Sequence, residues 1–266
     1  MGKPPILLNK HYAEASVFTA ANLLREARRQ KSLAPGTVPP VCVLDPDGDI
    51  VRWLVSTRQA TRHPGWPCYH TDLFVSAQDD MHFGIVGCAV GASFAVLVAD
   101  ELFASGCELL ISVTSAGQIA DFREPPYFLL IEKALRDEGT SYHYLPPGEF
   151  SCIAPSLLQT FEAVLSETAT KLYRGATWTT DAPFRETASA IAYCRDIGIM
   201  AVEMEAAALY AFAHAAQKPV VCMAHVTNRM ARSEGDFEKG IAEGSQEALR
   251  LVGLLARRFS LSKARP

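Results

Sequence analysis

Four uncharged apolar runs punctuate the chain, at residues 41–44, 83–86, 109–113 and 220–226, and each is separated from the next by enough sequence for a helix. Strands this short and this apolar need cover on both faces, the condition met by parallel strands joined through helical crossovers. The intervening sequence reads accordingly. Helices are expected at 20–31, 93–105 (closed by Gly106), 155–171 (opened by Pro155), about 203–217 and 236–257, with a further strand at 127–131. Asp45-Pro46-Asp47-Gly48, directly after the first run, is a turn sequence, because Pro fixes φ and Gly tolerates positive φ. The expected architecture is α/β: a single three-layer α/β/α domain over residues 1–266, with a central mixed, mostly parallel sheet.

At 266 residues, with 49% hydrophobic and 20% charged side chains, the chain can bury a core without a metal or disulfide staple. A net charge of −4 argues against nucleic acid as a partner, which calls for a basic face. Residues 83–99 carry no charge, but three glycines and a serine within them fit a strand, a tight loop and a buried helix better than a membrane span. The seven cysteines are scattered among apolar neighbours and never form C-x-x-C, as expected of small buried hydrophobes in a reducing, cytoplasmic setting. No His, Cys, Asp or Glu cluster has metal-ligand spacing, so no metal is expected. A Gly-x-Gly-x-x-Gly dinucleotide fingerprint is also lacking.

Ligands of open α/β sheets sit beyond the carboxyl ends of strands. Small and polar residues collect there: Thr114, Ser115 and Gly117 after one apolar run, Asn228 after another, and Thr179 and Thr180 elsewhere. The most informative stretch is Val202-Glu203-Met204-Glu205-Ala206-Ala207. Between residues 199 and 217 its two glutamates are the only charged side chains. A carboxylate in an apolar wall must be hydrogen-bonded or paired, or it protonates. Capping a helix start explains one such glutamate but not two.

This stretch resembles the signature of the nucleoside phosphorylase-I family, the superfamily of purine nucleoside and uridine phosphorylases and related nucleosidases. Three more blocks agree in order: Ala89-Val90-Gly91-Ala92-Ser93, Val113-Thr114-Ser115-Ala116-Gly117, and Thr179-Thr180-Asp181-Ala182-Pro183-Phe184-Arg185-Glu186. The similarity is good over about residues 80–230 and poor over the divergent first eighty, and Asn228-Arg229 matches the uridine phosphorylase-like members best. The resemblance implies cleavage of an N-glycosidic bond through an oxocarbenium-like sugar. Glu205 would hold the ribose hydroxyls and favour the charge developing at C1′. Glu203 and Met204 would line the sugar site, Thr114, Ser115 and Gly117 the nucleophile side, and Phe184, Arg185, Asn228 and Arg229 the base side. Glu205 and Arg229 are thereby expected to be catalytic, Arg229 by stabilising charge on the departing base.

Asn228 stands where purine-cleaving members have an aspartate that protonates the base, which favours a pyrimidine. The expected reaction is phosphorolysis of a nucleoside to free base and ribose 1-phosphate, with phosphate as co-substrate, no cofactor, and a homo-oligomeric (dimeric or hexameric) protein. The family's two phosphate arginines are replaced by Gly48 and Ser112, leaving Arg52, Arg58, Arg62 or a neighbouring subunit to compensate. The alternatives are a nucleosidase using water, with Asp45 or Asp47 as base, and a non-catalytic nucleoside-binding protein.

Overall fold

The computed structural model describes residues 2, 4–78, 81–230, 234, 236–237 and 239–263. The apolar runs become β1 (Val41–Asp45), β4 (Met81–Gly87), β5 (Leu109–Gln118) and β10 (Val220–Asn228), lying parallel in the order β4-β1-β5-β10. Every residue of β1 and β10 is buried, which explains why both read as unbroken hydrophobic sequence. Beyond β4 the sheet continues antiparallel through β3 (Phe74–Gln78) to β2 (Ala60–Arg62).

On its other side β10 pairs antiparallel with β6 (Tyr127–Asp137), which runs parallel to β8 (Leu172–Thr180), itself parallel to β9 (Ile199–Glu203). β9 then pairs antiparallel with the end of β5, at Gly117↔Val202 and Gln118↔Ala201. Strands β5, β10, β6, β8 and β9 therefore close into a ring, with β7 (Phe150–Cys152) attached to β6. The sheet is mixed as expected: β4-β1-β5-β10 and β6-β8-β9 are two parallel sets, joined by the antiparallel pairs β10–β6 and β9–β5, with further antiparallel pairs at the outer edge.

Helices α1 (Ala20–Gln30), α3 (Ala92–Ala104) and α6 (Ala206–Ala216) pack together, as do α2 (Asp49–Ser56), α4 (Pro155–Glu167) and α7 (Ser245–Lys263), so that helices flank the sheet. The nine-residue α5 (Ala188–Asp196) lies against β9. None of the described helices is long and apolar enough to cross a membrane.

Three expectations need correcting. The glutamate motif does not open a helix at residue 203: Glu203 ends β9, and α6 begins at Ala206. The last helix starts at Ser245 rather than at 236, after a 3-10 turn (Ile241–Gly244) with positive φ at Ala242, Glu243 and Gly244. The strand expected at 109–113 does not stop there: Thr114 to Gln118 continue β5, because β10 and β9 supply their backbone partners.

Candidate active site

One residue, Met204, separates Glu203 from Glu205, and the environments of the two glutamates diverge completely. The first N–H groups of a helix have no intrahelical acceptor. Glu203 supplies one: its Oε2 accepts from the backbone N–H of Glu205 and of Ala206, each at 2.7 Å. Its Oε1 accepts from the hydroxyls of Thr177 (3.1 Å) and Thr179 (2.5 Å). A carboxylate offers about four lone-pair positions, so this one, 3% exposed, is fully occupied. Burial pushes its pKa up while these donors pull it down. The Glu203 carboxylate thus serves the start of α6, with its acceptor positions taken up by protein donors where the sequence expects a substrate contact.

Glu205, 1% exposed, turns the other way. Its Oε1 accepts from the Gly91 N–H (2.7 Å), and its Oε2 from the Thr114 hydroxyl (2.9 Å) and the Met204 N–H (3.3 Å). Gly91 is the N-cap of α3 and Glu205 the N-cap of α6, so the carboxyl sits where two helix starts meet, each lending partial positive charge. None of these donors carries a full charge. Burial, Glu203 and Asp47 raise the Glu205 pKa to about 8, against the pull of Gly91 and Thr114.

The side on which the sequence expects the nucleophile is built by a difference in strand length. β1 stops at Asp45, while its partner β5 runs on. The Ser115 N–H, left without a strand partner on that side, donates to Asp47 Oδ2 at 2.7 Å. Asp45 itself is buried and accepts from the N–H groups of Gly48 (3.2 Å) and Val51 (2.9 Å) at the start of α2. Burial raises its pKa to about 7.

Gly48 has φ +78°, and a Cβ there would lie 2.6 Å from Cys88 Sγ and 2.8 Å from Arg52 Nη1. The Arg52 guanidinium thus fills the space a side chain at 48 would need, and it is held by Asp49 at 2.5 Å. Of the three candidate replacement arginines, Arg52 alone is beside this turn: Arg62 pairs with Asp72 on β2, and Arg58 is exposed beyond α2. Ser112 is buried, its hydroxyl without a partner among the described residues.

At the end of β10, Asn228 is buried, with Oδ1 accepting from the Met230 N–H (2.8 Å) and Nδ2 donating to Thr227 Oγ1 (3.0 Å). Gly117 allows this corner to close: a Cβ there would lie 2.6 Å from Met230 Sδ. The structure brings Thr114, Ser115, Gly117, Met204, Glu205 and Asn228 into one neighbourhood at the end of β5. It does not bring in three others. Arg229 points outward and pairs with Glu124, Phe184 is 99% exposed, and Arg185 is exposed on the same 3-10 turn (Pro183–Arg185). Among the described residues, no group of three or more His, Cys, Asp or Glu is placed to hold a metal ion.

The buried carboxyls dictate a pH response. The folded chain keeps protons on Asp45 and Glu205 that the unfolded chain releases near pH 4, so folding is progressively penalised as pH rises from there towards 8. The melting temperature should fall by at least about 10 °C between pH 5 and 8.5, on the scale of about 1.4 kcal/mol per pKa unit and 2–4 °C per kcal/mol for a chain of this size. Calorimetry of the ligand-free protein checks this, and a melting temperature that rises over the same range would mean both groups are ionised in the fold.

Comparison with known proteins adds relatives. A family described as the phosphorylase superfamily matches residues 46–259. Uridine phosphorylase from Vibrio fischeri ES114 superposes with a TM-score of 0.68 at 20% identity, covering 86% of this chain and 94% of its own. AMP nucleosidase from Bacteroides thetaiotaomicron gives 0.71 at 18% identity, covering 92% and 100%. The 5′-methylthioadenosine/S-adenosyl homocysteine nucleosidase of Campylobacter jejuni gives 0.66 at 19% identity, covering 82% and 98%. No curated protein sequence matches.

Proposed function

The chain belongs to the phosphorylase superfamily, and from that premise we propose that it cleaves the N-glycosidic bond of a nucleoside with water as the nucleophile. The observation that carries the cleavage is Glu205: a carboxyl 1% exposed, held only by an N–H of Gly91, a hydroxyl of Thr114 and an N–H of Met204, with no cation. A buried charge with no cation beside it is costly, enough to keep this carboxyl protonated up to about pH 8 in the resting protein. It becomes favourable when positive charge appears beside it, as on C1′ of a pentose losing its base, so the site stabilises the transition state more than the ground state.

Water is favoured over phosphate by Asp47. The Ser115 N–H, a donor that a phosphate would need, is already taken by the Asp47 carboxylate. A second anion there repels a dianion but suits a water molecule that must lose a proton. Phosphorolysis, the expectation from the sequence, keeps one supporting observation, the Arg52 guanidinium folded over Gly48. For the base, both ends of the Asn228 amide are engaged and neither is an acid. A pyrimidine, which has no N7 to protonate on departure, fits that better than a purine. Phe184 and Arg185 are exposed, which leaves them available for a base contact in a second copy, and the proposal keeps the homo-oligomer for that reason.

The test is base release from a nucleoside panel with and without phosphate. Release independent of phosphate, with free ribose as product, is expected. Release only with phosphate, yielding ribose 1-phosphate, would restore phosphorolysis. Asp47→Asn preserves an acceptor for Ser115 but cannot take a proton, and it should lower kcat by about 10²–10⁴-fold.

A further inference from the structure

Behind the nucleophile side lies a second cavity, of about 400 Å³, between the start of α7 and the beginnings of β6 and β8. One wall is the His225 ring, stacked on Phe128 with centroids 4.5 Å apart and planes 8° from parallel. The chain entering α7 presses directly on this ring: Gly244 has φ +72°, and a Cβ there would lie 2.2 Å from His225 Cε1. Burial and Lys239 lower the His225 pKa to about 4, so this wall is uncharged at neutral pH.

The charges on the lining are unbalanced. Lys171, Lys239 and Arg250 face a single carboxylate, Glu247. Arg250 approaches Glu247 only to 3.8 Å, Lys239 is shared with Asp49 outside the cavity, and Lys171, whose carbonyl accepts from the Phe128 N–H, is exposed. Glu247 belongs to the first turn of the 19-residue α7, whose leading N–H groups add positive potential. The volume exceeds what a bare oxyanion needs and falls within the range of small-molecule sites.

We propose that this cavity is a second binding site, taking a phosphate monoester with an organic body, and that its occupancy is felt at the candidate active site. The phosphate would be met by Lys171, Lys239 and Arg250, and the body would lie along the Phe128–His225 pair. The coupling rests on the reading of Asp47 given above. A ligand that draws Lys239 away from Asp49 loosens the turn that carries Asp47, and His225 stands at the register of Ser115 on the neighbouring strand.

Calorimetric titration of the full chain with ribose 5-phosphate and with inorganic phosphate tests the binding without requiring any catalysis. Wild type should bind ribose 5-phosphate. Lys171→Ala/Arg250→Ala, two exposed positions, should weaken it at least tenfold, and Arg52→Ala should leave it unchanged. Inorganic phosphate should bind at least tenfold more weakly than the ester. No binding to wild type, no loss in the double variant, or a loss in Arg52→Ala instead would overturn the site. Equal affinity for inorganic phosphate would overturn the organic body. If nucleosides are cleaved, ribose 5-phosphate should change kcat/KM in wild type but not in the double variant; binding without that change would overturn the coupling alone.

Discussion

Glu205→Gln is expected to lower kcat/KM for nucleoside cleavage by about 10³-fold, the loss of about 4 kcal/mol of transition-state stabilisation typical of removing one preorganised electrostatic group. The substitution is nearly isosteric and retains an oxygen that can accept from Gly91 or Thr114. What it removes is the charge. Because that charge is buried and opposed by Glu203 and Asp47, the variant should melt no lower than wild type at pH 8.5, and its melting curve should be flatter between pH 7 and 8.5. Activity and stability thus move in different directions. In wild type, kcat/KM should climb with pH through about 8 as Glu205 ionises in the free enzyme. An intact rate in Glu205→Gln would remove this residue from the chemistry and with it the proposed reaction.

Glu203→Ala should do the reverse, costing fold before function. It strips acceptors from two helix-start N–H groups and from the hydroxyls of Thr177 and Thr179, all in a buried setting. Several orphaned donors at 1–3 kcal/mol each, partly relieved by relaxation, suggest a loss of about 3 kcal/mol, or about 6–12 °C in melting temperature. Glu203→Gln, which keeps one acceptor, should lose about half as much. Thermal melts of the two variants beside wild type decide it, and a Glu203→Ala protein as stable as wild type would show that α6 needs no such cap.

These two residues also mark the limit of what could be read in advance. Their isolation in apolar sequence was visible, and so was the argument that capping explains one and not both. Which one caps was not, because that depends on β9 ending at Glu203 rather than a helix beginning there. The central strands were legible because burial on both faces leaves an apolar run, residues 41–44 in β1 and 220–224 in β10, ahead of the polar residues at their ends. β8 was not: Leu-Tyr-Arg-Gly-Ala-Thr-Trp-Thr-Thr contains an arginine, a glycine and three threonines, and the threonines that matter point at Glu203. Short α2 and α5 were missed for want of a sustained apolar stripe. Phe184, Arg185 and Arg229 were placed at the site by resemblance, and no local pattern could reveal that their side chains face outward. Asp47 was one of two aspartates in a turn, and its partner Ser115 is 68 residues away.

β5 outruns β1, and the amide of Ser115 is left for a side chain to claim. Had β1 continued two residues further, main chain would have met that amide, the turn bearing Asp47 would have moved on, and the crevice would have been zipped shut. Chemistry at this spot is therefore governed by an indel of minimal size as much as by any reactive group. Relatives of this chain could gain or abandon catalysis there while every acidic residue of the motif stayed in place.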